Sequence, residues 1–228
     1  MSANNEMGRF YSAEEVREFY PEIVPVYQRA YAGEPWFEVS ACADSQRPQR
    51  CVASLSAVAI GETCQVCGNT PTKPAYDPGE LTARLDKLST DKSSVWYLER
   101  EADELVLAAL LWNGDAKYIA EAKYADVPEM ANWMPKVIGT NEVVWLDEIF
   151  ADRTRRPNGN LRNFSEICRQ SRLRLGPSTM AFRTINEKLV AATERDFDGL
   201  ATVFNRQSIF GPGPNVPDRR DFVTVEFR

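Results

Sequence analysis

The stretch from Val143 to Phe164, VVWLDEIFADRTRRPNGNLRNF, most restricts what this chain can become. An apolar run of strand composition enters an Arg- and Gly-containing turn, which opens directly into a helical pattern. A turn leading into a helix start presents backbone N–H groups that have no partner within the helix. Seven arginines (Arg153, Arg155, Arg156, Arg162, Arg169, Arg172 and Arg174) stand against one acid, Glu166, so about +6 of charge falls in 22 residues of a chain whose net charge is −6. Unpaired N–H groups ringed by guanidinium groups suit a bound polyanion such as a pyrophosphate.

The rest of the chain supplies a scaffold around that unit. Ser12-Ala13-Glu14-Glu15 is a capping box, and Val16, Phe19, Tyr20, Ile23, Val24 and Tyr27 follow at helical spacing. Pro21 and Pro25 predict that this helix is kinked or split, ending near Ala32. Asp77-Pro78-Gly79-Glu80 starts a second helix whose buried stripe is Leu81, Leu85 and Leu88. Val95 to Arg100 and Leu105 to Trp112 predict a hairpin turning at Glu101-Ala102-Asp103. Asp115 to Gly139 reads as helical, restarting at Val127-Pro128-Glu129. After the strand Val143 to Ala151, a helix carries Leu161, Phe164, Ile167, Cys168, Ser171 and Leu175 on one side. Strand Met180 to Ile185, helix Glu187 to Phe197, strand Thr202 to Ser208 and strand Asp221 to Phe227 complete the order. The expectation is one mixed α/β (α+β) domain over residues 1–228, built on a mixed sheet.

Composition narrows the function classes. With 43% hydrophobic residues, 228 residues suffice for a substantial core, and an isoelectric point near 5.0 argues against broad nucleic-acid binding. No apolar run has the length of a membrane span, and MSANNEMGRF lacks a signal-peptide plan, so a cytoplasmic protein is expected. The chain has no histidine, so any general base or metal ligand must be another residue type.

The order of elements, with this turn at its centre, resembles the GNAT acetyltransferase superfamily over residues 78–227, with the helix at 12–32 as the family's first. In that family a strand precedes an Arg/Gln-x-x-Gly-x-Gly/Ala turn; here Arg156-Pro157-Asn158-Gly159-Asn160-Leu161 supplies the Arg and the first Gly, and Leu161 stands where the family has Gly or Ala. A later family pattern of Asn, apolar residue, Tyr and Phe falls on Asn186, Leu189, Thr193 and Phe197, with Thr193 in the place of Tyr. More narrowly, the chain looks like bacterial GNAT-like proteins that carry a cysteine-bearing insertion.

The resemblance implies an amine attacking the thioester of acetyl-CoA directly in a ternary complex, with acetyl-CoA and an amine-bearing acceptor as partners. It implies that Arg155, Arg156, Asn158, Gly159, Asn160 and Leu161 surround the pyrophosphate, with Asn186 also on the coenzyme and the backbone of Ile149, Phe150 and Ala151 along the pantetheine arm. It places the general base on the strand at Glu148 or Asp147; alternation along a strand sends these to opposite faces, and Glu148 is favoured. Without the family's Tyr, Tyr97, Tyr118 or water is left to protonate the thiolate. Arg156→Glu is expected to abolish coenzyme binding and leave the fold intact. Pro35-Trp36-Phe37 is the candidate lining for an acceptor pocket. Leu161 supports a second reading, a GNAT-shaped zinc-containing binding module that no longer acetylates; a nucleic-acid module is a third.

Cys42, Cys51, Cys64 and Cys67 lie within 26 residues, in the segment 40–76 that lacks helical periodicity. Cys64-Gln65-Val66-Cys67 brings two thiolates within reach of one ion, and four thiolates make a closed structural zinc site. Reduced thiols without metal and a redox pair are the other readings. Cys168 lies on the apolar side of its helix and is expected in the core.

Overall fold

The computed structural model describes residues 8–34, 36–42, 59–65, 67–68, 71–90, 93–124, 130–139, 142–156, 163–184, 186–204 and 221–227. Its elements are, in chain order, β1 (Arg9–Ser12), a 3-10 turn (Glu15–Phe19), α1 (Tyr20–Ala32), β2 (Ser40–Cys42), β3 (Thr72–Pro74), α2 (Pro78–Thr90), β4 (Ser93–Glu101), β5 (Glu104–Asp115), α3 (Ala116–Lys123), α4 (Met130–Ile138), β6 (Glu142–Ala151), α5 (Phe164–Leu175), β7 (Thr179–Thr184), α6 (Glu187–Asp196), β8 (Ala201–Phe204) and β9 (Asp221–Glu226).

Strand β5 is buried from Leu105 to Trp112, so helices must cover both of its faces. They do. Leu107, Ala109 and Leu111 point into one cluster with Phe164, Ile167 and Cys168 of α5 and Leu189 of α6. Ala108 and Leu110 point the other way, onto Ile23 and Tyr27 of α1 and Leu81 and Leu85 of α2. Trp112, further along that second face, packs with Ile119, Met130 and Met134 of α3 and α4. Each fully buried Leu or Ile contributes about 1.5–3 kcal/mol, so the alternating pattern fixes the layers. Cys168 is fully buried, as its place in the sequence led us to expect.

The seven-stranded sheet runs β1-β4-β5-β6-β7-β9-β8. All of its neighbours are antiparallel except β6 and β7, which run parallel and pair only at Val144–Met180 and Trp145–Ala181. Beyond Trp145 the two strands diverge, and among the described residues the β7-facing edge of β6 has no strand opposite it.

Two short pairings escape the sequence patterns. β1 adds four residues to the edge of β4, and β2 with β3 forms a separate two-stranded ribbon inside the cysteine segment. The capping box is formed reciprocally: Ser12 N donates to Glu15 Oε2 at 2.8 Å, and Glu15 N to Ser12 Oγ at 3.3 Å. The proline-bearing helix divides at its front, where the 3-10 turn hands over to α1 with Pro21 in the first turn. Pro25 lacks only the N–H that would bond the Pro21 carbonyl, and α1 continues to Ala32. Among the described residues no helix is long and apolar enough to cross a membrane.

Candidate active site

Strand β6 reverses its alternation partway along. Val144 and Leu146 face the α5 side while Val143 and Trp145 face away, yet further on it is Ile149 and Ala151 that face α5 and Phe150 that meets α1. The cause is a bulge: Leu111 pairs with Leu146 and Leu110 with Glu148, leaving Asp147 without a partner on β5. One extra residue shifts the pleat by one position. Asp147 and Glu148 therefore both line the same cleft, which corrects the expectation from strand alternation.

The cleft has a volume of about 400 Å³ and lies over the bulge, between α1, α2 and the end of α3, reaching across the diverging strands to Asn186 at the start of α6. Glu148 is its centre. Its side chain is 8% exposed and accepts hydrogen bonds from Tyr31 Oη at 2.6 Å and Tyr27 Oη at 3.3 Å, with Arg84 Nη2 at 2.6 Å. Burial pushes the Glu148 carboxyl above the usual carboxylate range, although Arg84 and the Tyr31 hydroxyl pull it down. Burial and the nearby Glu148 charge hold the Tyr27 and Tyr31 phenols protonated, so both are donors. Tyr27 and Tyr31 stack with centroids 4.3 Å apart, as residues four apart on a helix can. Tyr76 meets the Tyr27 ring at 5.0 Å, and Trp36 the Tyr31 ring at 5.4 Å. Asp147 pairs with Lys123 and accepts from Trp145 Nε1 at 3.1 Å; its Oδ2 is buried with no hydrogen-bond partner.

Ile149, Phe150, Ala151 and Asn186 all line the cleft. The Asn186 side chain caps α6 by accepting from Lys188 N at 3.1 Å. Asn158, Gly159, Asn160 and Leu161, and with them the turn amides, lie outside the described residues, as does Cys51. Trp36 is on the cleft wall, whereas Phe37 is exposed and Pro35 is outside the described residues.

Among the described residues the arginine cluster disperses; Arg162 lies outside them. Arg155 pairs with Glu104, and Arg156, 9% exposed, reaches Glu99 and Glu101 of β4 at 2.5 Å each. Arg169, Arg172 and Arg174 lie over the rings of Phe197, Phe227 and Phe10. Arg153 lines the cleft, packed so closely on Gly33 that a Cβ there would stand 2.9 Å from its Nη1. The loop base after β6 is further tied to α1 by Arg29 and Asp152 at 2.5 Å. With its guanidinium on Glu99 and Glu101, Arg156 joins the loop to β4, so Arg156→Glu is expected to cost stability as well as any contact with the coenzyme.

Neither Tyr97 nor Tyr118 lines the cleft, and Thr193 is fully buried, its hydroxyl donating to the Leu189 carbonyl at 2.7 Å. Instead Tyr27, Tyr31, Tyr76 and Arg84 surround Glu148. In sequence Tyr27 reads as part of an apolar stripe, and the only local sign of more is a second Tyr four residues on.

At the other end of the β2–β3 ribbon, the thiols of Cys42, Cys64 and Cys67 lie within 4.8 Å of one another, with Cys42 and Cys67 Sγ 3.8 Å apart. That is far beyond a disulfide bond of about 2.05 Å. Gly68, in the left-handed region at φ +75°, closes the turn by donating its N–H to the Cys64 carbonyl at 2.8 Å.

No protein-family model and no curated protein sequence matches this chain. Solved structures do. Polyamine N-acetyltransferase of Drosophila melanogaster, which catalyses formation of N-acetylagmatine, superposes with a TM-score of 0.53 at 11% identity, covering 96% of this chain and 97% of that one. An N-acetyltransferase from Staphylococcus aureus Mu50 superposes with a TM-score of 0.46 at 12% identity, covering 96% and 97%. With the antiparallel strands, the one diverging parallel pair and the bulged strand between them, the chain has the fold of the GNAT acetyltransferases.

Proposed function

We propose that the chain transfers an acetyl group from acetyl-CoA to a primary amine, at the cleft over the β6 bulge. One observation carries this reading: a buried carboxyl, Glu148, faces the gap between the diverging strands and is held by two phenols and a guanidinium. The amine nitrogen attacks the thioester carbonyl, the N–C bond forms, the C–S bond breaks, the electron pair leaves with the CoA sulfur, and the extra proton on the nitrogen passes to that thiolate, giving the amide and the CoA thiol. The ammonium proton must go before attack, and Glu148 receives it. Its raised pKa makes it a stronger base than a solvated carboxylate. The edge of β6 from Ile149 to Ala151, unpaired among the described residues, suits an extended pantetheine arm, as an added strand would. The start of α5 offers backbone N–H groups that suit the pyrophosphate, beside the segment 157–161 to which the sequence assigns it. Incubation with acetyl-CoA and a panel of primary amines, followed by chromatography of CoA, is expected to show amine-dependent CoA release. No release with any amine would remove the reading.

Cys42, Cys64 and Cys67, with Cys51 as the fourth ligand, are proposed to hold a structural zinc within the insertion at 40–76. Zn–S bonds of about 2.3 Å in a tetrahedron put sulfurs about 3.8 Å apart, and Cys42 and Cys67 stand at 3.8 Å. Four thiolates leave no position for water, so zinc here would stabilise folding and take no part in acyl transfer. Purified protein is expected to carry about one zinc per chain, and Cys64→Ser to lower both zinc content and melting temperature. Wild-type protein without metal overturns this.

A further inference from the structure

We infer that the cysteine-bearing ribbon builds the acceptor side of the cleft, placing Tyr76 and Glu38 as positioning residues whose order depends on the metal. This rests on the acyl-transfer and zinc readings above. The ribbon has two ends. At one, Cys42 pairs across to Thr72 and faces Cys67; at the other, Ser40 pairs with Pro74, and Ala75 N donates to Val39 O at 3.1 Å. The next residues on each side, Glu38 and Tyr76, line the cleft and are bonded to one another through the Tyr76 hydroxyl.

Both are fastened to α1. Glu38 N donates to Tyr31 O at 2.8 Å, and Gln28 Nε2 to the Tyr76 carbonyl at 2.7 Å. Through the rings of Tyr27 and Tyr31 this corner touches the two phenols that hold Glu148. Among the described residues, no member of β2 or β3 belongs to any of the three hydrophobic clusters. Buried there are only small side chains, Ser40, Ala41, Cys42 and Thr72. A three-residue hairpin without a hydrophobic face is not stable by itself; beyond its bonds to α1 and that of the Thr72 hydroxyl to the Ala59 carbonyl at 2.8 Å, the thiolate cluster is the cross-link at its far end. The coenzyme side of the cleft, from Ile149 to Ala151 and at Asn186, is carried by the main sheet and α6, independent of the ribbon.

The test compares zinc-loaded protein with the same protein after treatment with a strong zinc chelator. Hydrogen exchange at the amides of Glu38 and Ala75 is expected to accelerate at least 100-fold on zinc removal, while amides of β5 and β6 keep their protection. Acetyl-CoA affinity is expected to change less than twofold, and KM for the amine to rise at least tenfold. Tyr76→Phe in zinc-loaded protein should raise KM for the amine with zinc content intact. Unchanged exchange at Glu38 and Ala75, loss of β6 protection along with theirs, or protein that never takes up zinc would each overturn the inference. Inactivity of the zinc-loaded protein toward every amine would instead count against acyl transfer, and the exchange measurement would still decide the coupling.

Discussion

Replacing Glu148 with Gln is expected to lower kcat/KM for amine acylation by about 10²–10⁴-fold, the usual contribution of a positioned base. Folding should survive the change. Gln keeps the shape and still accepts from Tyr31, and the Arg84 side chain, 48% exposed, is left with solvent rather than stranded in the core. The pH dependence gives a sharper signature. Because burial raises the Glu148 pKa, wild-type activity should climb with pH through that raised value, and the Gln variant should lose this ascending limb. The sign for stability is the reverse. A carboxyl whose pKa is raised by folding favours the folded state below its unfolded value of 4.5 and loses that contribution as pH rises through the folded value. Wild-type stability relative to Glu148→Gln should therefore decline with rising pH, so that the variant melts no lower at pH 8. A Gln variant with undiminished turnover would show that Glu148 is not the base.

Arg156→Glu is expected to destabilise the fold by about 3–5 kcal/mol, as removal of one partner from a buried ion pair does. At about 2–4 °C per kcal/mol for a chain of this size, the melting temperature should fall by roughly 6–20 °C. Glu99, 7% exposed, already has one oxygen without a partner, and the change sets a third carboxylate beside Glu99 and Glu101 in place of their cation. Glu101 is half exposed and contributes less. Removing both charges, as in Arg156→Met with Glu99→Leu, should recover much of the loss. If Arg156→Glu melts like wild type, the ion pair is not holding the loop to β4.

These two residues also show what was legible in the sequence and what was not. The strands of the central hairpin and the helices that flank it announce themselves, because burial on both faces demands long apolar runs and burial on one face demands helical spacing. Glu148 is recognisable for its place on the strand before the turn. Its setting is not, because the bulge at Asp147 exists only in the pairing of β6 with β5, and nothing in LDEIF marks it. Arg156 is a different case. Local charge density suggests a ligand; that it also reaches Glu99 and Glu101, 57 and 55 residues earlier in the chain, becomes visible only when β4 is laid beside the loop. The ribbon strands, three residues each, are too short to carry an alternation signal. The sequence groups Cys42 with Cys64-x-x-Cys67; the ribbon's register shows how a residue 22 positions earlier reaches them.

Calorimetric titration of acetyl-CoA into the zinc-loaded wild-type protein bears most directly on the cleft as an acyl-CoA site. The expected result is one molecule bound per chain, with affinity little changed by Glu148→Gln, whose role begins only at proton transfer. No heat with acetyl-CoA, with longer acyl-CoA thioesters or with CoA itself would contradict the account, leaving a GNAT-shaped domain that does not handle the coenzyme.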